Sequence, residues 1–329
     1  MSPVLREIPE NPVPEGAVAG YMTAFDGRQI RYACFRGGGK NGTVVLLPGR
    51  NECIEKYFET VGDLAAAGFA SVALDWRGQG GSERLLDDPR RGYVETFRDY
   101  VADLDQLFRE VVLPDCRPPY TVLAHSTGGL IALLAAPSLA NRVRRMVLTA
   151  PLLEVRTGLP ASLVNGLAHV LYALGLGRIY YGGRGRRGKE TPLGSSRLTS
   201  DPVRFARNQA LVSAFPELFI GGPTVAWYRA ASLAMAQVRD PDFAAKIRVP
   251  ILFLAAGADQ VVSTPAIERY GRTLRSARVL TVDGARHELL QEADLYREQA
   301  LAAFMAFAVP KGEGAGPEDL PLMDAGDGL

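Results

Sequence analysis

From Thr43 onward the chain keeps one rhythm: a short, wholly apolar run, a turn, a longer stretch of helical spacing, then another apolar run. Buried strands are expected near 43–48, 69–75, 120–125, 145–150, 250–256 and 277–282, and helices near 54–67, 95–112, 127–140, 264–275 and 288–307. Strands that are apolar throughout rather than alternating must be covered on both faces. Strand–helix alternation therefore predicts an α/β architecture, a mostly parallel central sheet with helices on both faces. In such sheets ligands gather beyond the carboxyl ends of the strands. Ahead of this core, Ala17 to Phe35 alternates around Asp26-Gly27 and reads as a hairpin, and residues 1–16 read as an extended arm. The core is expected over 17–153 and 241–310. Between them, 154–240 loses the rhythm and reads as an inserted helical cap, and the Gly-, Pro- and Asp-rich residues 311–329 read as a disordered tail.

One strand end carries chemistry. The run Tyr120-Thr-Val-Leu-Ala-His-Ser126 stops abruptly, Gly128 and Gly129 follow, and Leu130 to Ala136 reads as a buried helix. A serine on so sharp a strand-to-helix turn needs small residues two positions to either side, here Ala124 and Gly128. This is the nucleophile-elbow pattern, with Ala in place of the usual first Gly. A serine hydroxyl is a poor nucleophile without a base. The chain has three histidines. His125 should point away from its neighbour, and His169 lies in an apolar helical stretch; both read as structural. His287 follows a late strand, Ala277 to Val282, on a loop, and is the candidate base. Its orienting carboxylate is expected to be Asp259, the first acid after the strand Pro250 to Ala256; Asp75, Asp240, Asp242 and Asp283 are rivals better explained by turns and caps. The order Ser126, Asp259, His287 suits a hydrolytic triad on this architecture. The Thr127 N–H and the Arg50 N–H, from the turn Leu47-Pro-Gly-Arg-Asn51, are the expected oxyanion donors, with Asn51 a neighbour able to help.

Composition narrows the partners. A net charge of +1 gives no electrostatic footprint for nucleic acid. Cys34, Cys53 and Cys116 are scattered, with no metal spacing and no disulfide framework, so a reducing, cytoplasmic setting is expected, with no metal and no cofactor. Apolar residues make up 47% of the chain, yet no unbroken run is long enough to span a membrane.

Several runs together carry a resemblance: Leu47-Pro-Gly-Arg-Asn-Glu52, Asp75-Trp-Arg-Gly-Gln-Gly-Gly-Ser82, Ala124-His-Ser-Thr-Gly-Gly129, Gly257-Ala-Asp-Gln-Val261 and Gly284-Ala-Arg-His-Glu288. Over about 20–310 the chain resembles the α/β-hydrolase superfamily, in the branch of bacterial lysophospholipases and monoacylglycerol lipases. Two features depart from it: Ala124 stands for a common elbow glycine, and Pro48-Gly49 stands where relatives often have His-Gly. The resemblance implies a serine esterase of monoacyl lipids working through an acyl-enzyme, with Ser126, Asp259 and His287 as the family triad. A small-ester carboxylesterase or an acyltransferase is the alternative, and a non-catalytic binding protein of the same fold is a remote one.

Asn51, Leu171 and Trp227 are the candidate substrate contacts. The apolar stretch Leu159 to Leu176 and the cap aromatics are expected either to line an acyl channel or merely to pack the cap. The basic residues Arg178, Arg184, Arg186, Arg187 and Lys189 suit either a phosphate head group or anionic membrane surface, or a solvated loop, the glycines between them favouring the loop.

Overall fold

Eight strands form one sheet in the order β1-β2-β4-β3-β5-β6-β7-β8. They are β1 (Ala17–Thr23), β2 (Gln29–Phe35), β3 (Thr43–Leu47), β4 (Ala70–Leu74), β5 (Tyr120–His125), β6 (Val143–Thr149), β7 (Ile251–Ala256) and β8 (Ala277–Val282). The computed structural model describes residues 4–182 and 193–309. β1 and β2 form the expected hairpin and β2 runs antiparallel to β4; every later pairing is parallel. β3, β5 and β7 are buried at every position, which is what their unbroken apolar sequences require.

The helices are α1 (Phe58–Ala66), α2 (Phe97–Leu107), α3 (Leu113–Asp115), α4 (Thr127–Leu139), α5 (Ala161–Ala173), α6 (Pro202–Ala214), α7 (Val225–Arg239), α8 (Pro241–Ala244), α9 (Thr264–Thr273) and α10 (Asp294–Ala308). Two apolar clusters sandwich the sheet. One gathers α2, α4, α7 and α9 residues such as Leu104, Ile131, Trp227 and Ile267; the other gathers α1 and α10 residues such as Leu64 and Phe304. The helix expected from residue 288 begins only at Asp294, because Leu289–Gln291 forms a separate tight turn beside His287. The helix expected over 95–112 is interrupted after Leu107 by one wide turn, Phe108–Val112.

The chain before β1 lies against the core: the Asn11 side chain donates to the Glu55 carbonyl at 2.9 Å, and the Arg6 N–H to the Glu55 carboxylate at 3.1 Å. Between β6 and β7 the chain leaves the sheet and makes α5, α6, α7 and α8. The expected tail, 311–329, and the basic residues Arg184, Arg186, Arg187 and Lys189 lie outside the described residues. Among the described residues no helix is long and apolar enough to cross a membrane, and no cluster of His, Cys, Asp and Glu could hold a metal ion.

Candidate active site

β5 ends at His125, and Ser126 takes φ 49° and ψ −111° before α4 begins. This left-handed backbone costs roughly 1–3 kcal/mol and persists only where the surroundings dictate it. They do: the Ser126 N–H donates to the Thr149 carbonyl (3.0 Å), while its own carbonyl accepts from Leu130 (3.2 Å) and Leu152 (3.0 Å). Gly128 has no alternative, since a Cβ there would sit 2.3 Å from the Leu47 carbonyl oxygen and 2.7 Å from that of Pro48. Ala124, fully buried, is tolerated at the opposite small position.

The structure brings Ser126, His287 and Asp259 together. His287 Nε2 lies 3.0 Å from Ser126 Oγ, and Nδ1 lies 2.7 Å from Asp259 Oδ2. A carboxylate can only accept, so Nδ1 carries the proton and Nε2 is left to accept from the serine hydroxyl. Asp259 is locked in turn, its Oδ1 accepting from the N–H groups of Val261 (2.7 Å) and Val262 (2.9 Å). Burial would raise the Asp259 pKa, but the imidazole hydrogen bond and these two amides outweigh it and hold the carboxyl below its usual range. The rivals are engaged elsewhere: Asp75 clasps Arg31 and the Ile54 N–H, and Asp240 caps α8.

Thr127 opens α4, so its N–H has no carbonyl one turn back to bond and is free for a ligand. The Pro48-Gly49-Arg50 turn faces it across the Leu47–Gly128 contact. Asn51, at φ 61°, accepts from the Ile220 N–H at 2.6 Å through its side chain, so it braces the loop that follows α6.

These groups open into a cavity of about 440 Å³ walled by Leu152, Val155, Leu211, Val212, Trp227 and Val261 among others, a size suited to an organic ligand. Of the candidate substrate contacts, Trp227 and Asn51 are in its wall. Leu171 is not. It sits half-buried on α5, and the expectation that Leu159 to Leu176 lines a channel does not hold for the described residues. α5 buries only Ala168, turning Leu163, Leu167 and Val170 to the surface along with Leu174 at its end, 54–69% exposed. His169, on the same helix, spends its Nδ1 on the Asn165 carbonyl at 2.8 Å.

Sequence reasoning missed a buried charge cluster behind the histidine. Lys56 Nζ lies 2.8 Å from Glu52 Oε1 and 2.6 Å from Glu288 Oε1, all three nearly out of solvent. Glu52 Oε2 also accepts from the Gly49 N–H (2.5 Å) and the Tyr57 hydroxyl (2.6 Å). Burial opposes charge on Glu52, yet Lys56 and His125 reverse that and bring its pKa to about 2. Burial likewise opposes charge on Lys56, and its two carboxylates overcome this and raise its pKa. The cluster links the Gly49 turn to the residue after His287. The i,i+4 pair Glu52–Lys56 could have been read from spacing; the meeting with Glu288 could not. His125, expected to be structural, has Nδ1 against the Thr149 carbonyl (3.2 Å) and its ring 4.8 Å from that of His287; burial pushes its pKa down to about 4.

The model of a family described as "Serine aminopeptidase, S33" matches residues 38–294. "Lysophospholipase L2" of Escherichia coli (strain K12) is 33% identical over 302 residues, spanning 87% of this chain and 86% of that protein. "Probable lysophospholipase L2" of Haemophilus influenzae is 28% identical over 266 residues, spanning 80% and 82%. Among solved structures, the monoacylglycerol lipase of Paleococcus ferrophilus matches with a TM-score of 0.64 at 23% identity, over 85% of this chain and 98% of that one. A monoglyceride lipase variant from Saccharomyces cerevisiae, crystallised with a substrate analogue, matches with a TM-score of 0.69 at 19% identity, over 94% and 100%. At these identities the two structures establish the fold.

Proposed function

The chain belongs to the serine aminopeptidase S33 family, on the α/β-hydrolase fold, and we propose that within it the protein is a serine ester hydrolase of monoacyl lipids. The observation that carries the reading is the relay from Asp259 through His287 to Ser126, opening into a largely apolar cavity. Relatives named lysophospholipases, aligned along most of their length, support the same substrate class.

In this reading Ser126 Oγ attacks the ester carbonyl while His287 Nε2 takes the hydroxyl proton. Asp259 holds the ring and stabilises the imidazolium. The N–H groups of Thr127 and Arg50 receive the oxyanion, each such donor contributing roughly 3 kcal/mol to transition-state stabilisation. His287 then protonates the leaving alcohol, and a water activated by the same nitrogen releases the fatty acid. The acyl chain lies along Leu152, Val212 and Trp227, where each buried methylene contributes about 0.8 kcal/mol. We take 154–240 as a cap over this site. The exposed row Leu163, Leu167 and Val170 on α5, with Leu174 just after it, supports peripheral contact with a lipid surface, where a monoacyl lipid resides.

The test is hydrolysis of p-nitrophenyl esters of increasing chain length, and of monoacyl against diacyl lipids, with Ser126→Ala as control. Activity rising with chain length, preferring one acyl chain and lost in the variant, is the expected result. An optimum at two carbons, or undiminished activity in the variant, refutes it.

A further inference from the structure

The Arg50 side chain, half-buried in the wall of the same cavity, is a cation without a counter-anion among the described residues. The most deeply buried arginines are met by paired carboxylates: Arg31 by Glu55 and Asp75, Arg77 by Asp26 and Asp103, Arg297 by Asp63 and Glu59. Among the described residues no carboxylate pairs with Arg50. Its Nη2 donates to the Gly221 carbonyl, its guanidinium lies 5.2 Å over the Trp227 ring, and the phenols nearest in charge terms are Tyr100 and Tyr180. Its Nε is enclosed and has no hydrogen-bond partner. Burial lowers its pKa to about 10, so it is still charged at neutral pH. Space is reserved for it: a Cβ on Gly92 would come within 2.4 Å of Nη2.

A half-buried cation with a carbonyl and a ring face beside it but no counter-ion is costly unless a ligand supplies the opposite charge. The other charges in the cavity wall do not supply it, because Glu52 and Glu288 are both held by Lys56. A planar guanidinium fixed by a carbonyl and an indole face is preorganised for the oxygens of a phosphate. A neutral monoacylglycerol presents hydroxyls alone and leaves the charge unanswered.

We propose that the Arg50 side chain binds the phosphate of a monoacyl phospholipid head group, making the preferred substrate a lysophospholipid rather than a monoacylglycerol. The inference rests on the ester-hydrolase reading above and adds a specificity determinant to it. The main-chain N–H of Arg50 serves the oxyanion whatever its side chain, so the two roles separate on substitution.

The experiment compares kcat/KM on lysophosphatidylcholine and on the monoacylglycerol of the same acyl chain, in the wild type, Arg50→Met and Arg50→Lys. The wild type should prefer the phospholipid. Arg50→Met should lower that preference about 10-fold or more, through a raised KM on the phospholipid, with Arg50→Lys intermediate. An equal fall on both substrates overturns the inference and leaves Arg50 a structural clamp. A second measurement needs no variant. Glycerol 3-phosphate should compete with p-nitrophenyl butyrate in the wild type at concentrations about 10-fold or more below those at which glycerol does, and more strongly than inorganic phosphate. Equal inhibition by glycerol and glycerol 3-phosphate, or inhibition by inorganic phosphate as strong as by glycerol 3-phosphate, overturns head-group binding. A wild type that cleaves p-nitrophenyl butyrate but neither lipid refutes the monoacyl-lipid reading itself, which distinguishes the two failures.

Discussion

Replacing Lys56 by methionine removes one positive charge from between two buried carboxylates. Lys56, Glu52 and Glu288 have side chains only 5–9% exposed, and the ammonium sits 2.8 Å and 2.6 Å from its partners. Breaking a buried ion pair by deleting one member costs about 3–5 kcal/mol, because the remaining charge is left without compensation. Against the total of about 5–15 kcal/mol typical of a folded domain, that is a large fraction. The loss should depend on pH in a definite direction. Burial raises the Glu288 pKa even with Lys56 present, so without the lysine Glu288 takes up a proton first as pH falls. The deficit should therefore be greatest near pH 8 and shrink toward pH 5, and Glu288→Gln on the Lys56→Met background should restore about 1–3 kcal/mol at pH 8. Urea denaturation gives the free energies from the midpoint at constant slope. A Lys56→Met protein within about 0.5 kcal/mol of wild type at pH 8, a difference no larger than ordinary surface substitutions give, would refute the view that the cluster is a balanced buried unit.

Asp259→Asn should fold normally yet lower kcat about 10⁴-fold, since an amide can donate to Nδ1 and stabilise the wrong imidazole tautomer; steady-state kinetics on a p-nitrophenyl ester measures this. Gly128→Ala would press a methyl against the immovable carbonyls of Leu47 and Pro48, at a cost of roughly 1–3 kcal/mol, visible as a lower urea midpoint together with reduced kcat. His125 is held neutral, its pKa lying near 4 against a usual 6.5, so its contribution is fully present above pH 6.5 and is lost as pH falls toward 4. Stability should drop by about 3 kcal/mol across that window, and His125→Gln should flatten the dependence in urea melts taken at successive pH values. Leu163→Asp with Leu167→Asp should abolish co-flotation with phospholipid vesicles while leaving hydrolysis of a water-soluble ester within about twofold, because neither residue lines the cavity.

The sheet was legible because strands buried on both faces write themselves as unbroken apolar runs, as in Val44 to Leu47 and Ile251 to Ala256. The elbow was legible for a similar reason: Ser126, Ala124 and Gly128 answer a steric demand that acts within a few residues. The facing of α5 was not legible because apolar composition alone does not say which way a helix faces. Its leucines recur every three or four residues, which fits an inward stripe and an outward one equally well; the packing of Ala168 decided for the outward one.

Left to itself, the sequence determined where strands end and which side chains stand at those ends, since both follow from short-range sterics and hydrophobic periodicity. Only the tertiary structure decided that Glu288 crosses 232 residues to meet Lys56, and that Arg50 meets no acid among the described residues. Charge pairing acts through space rather than along the chain, so a list of residues gives the available charges but not which of them face one another.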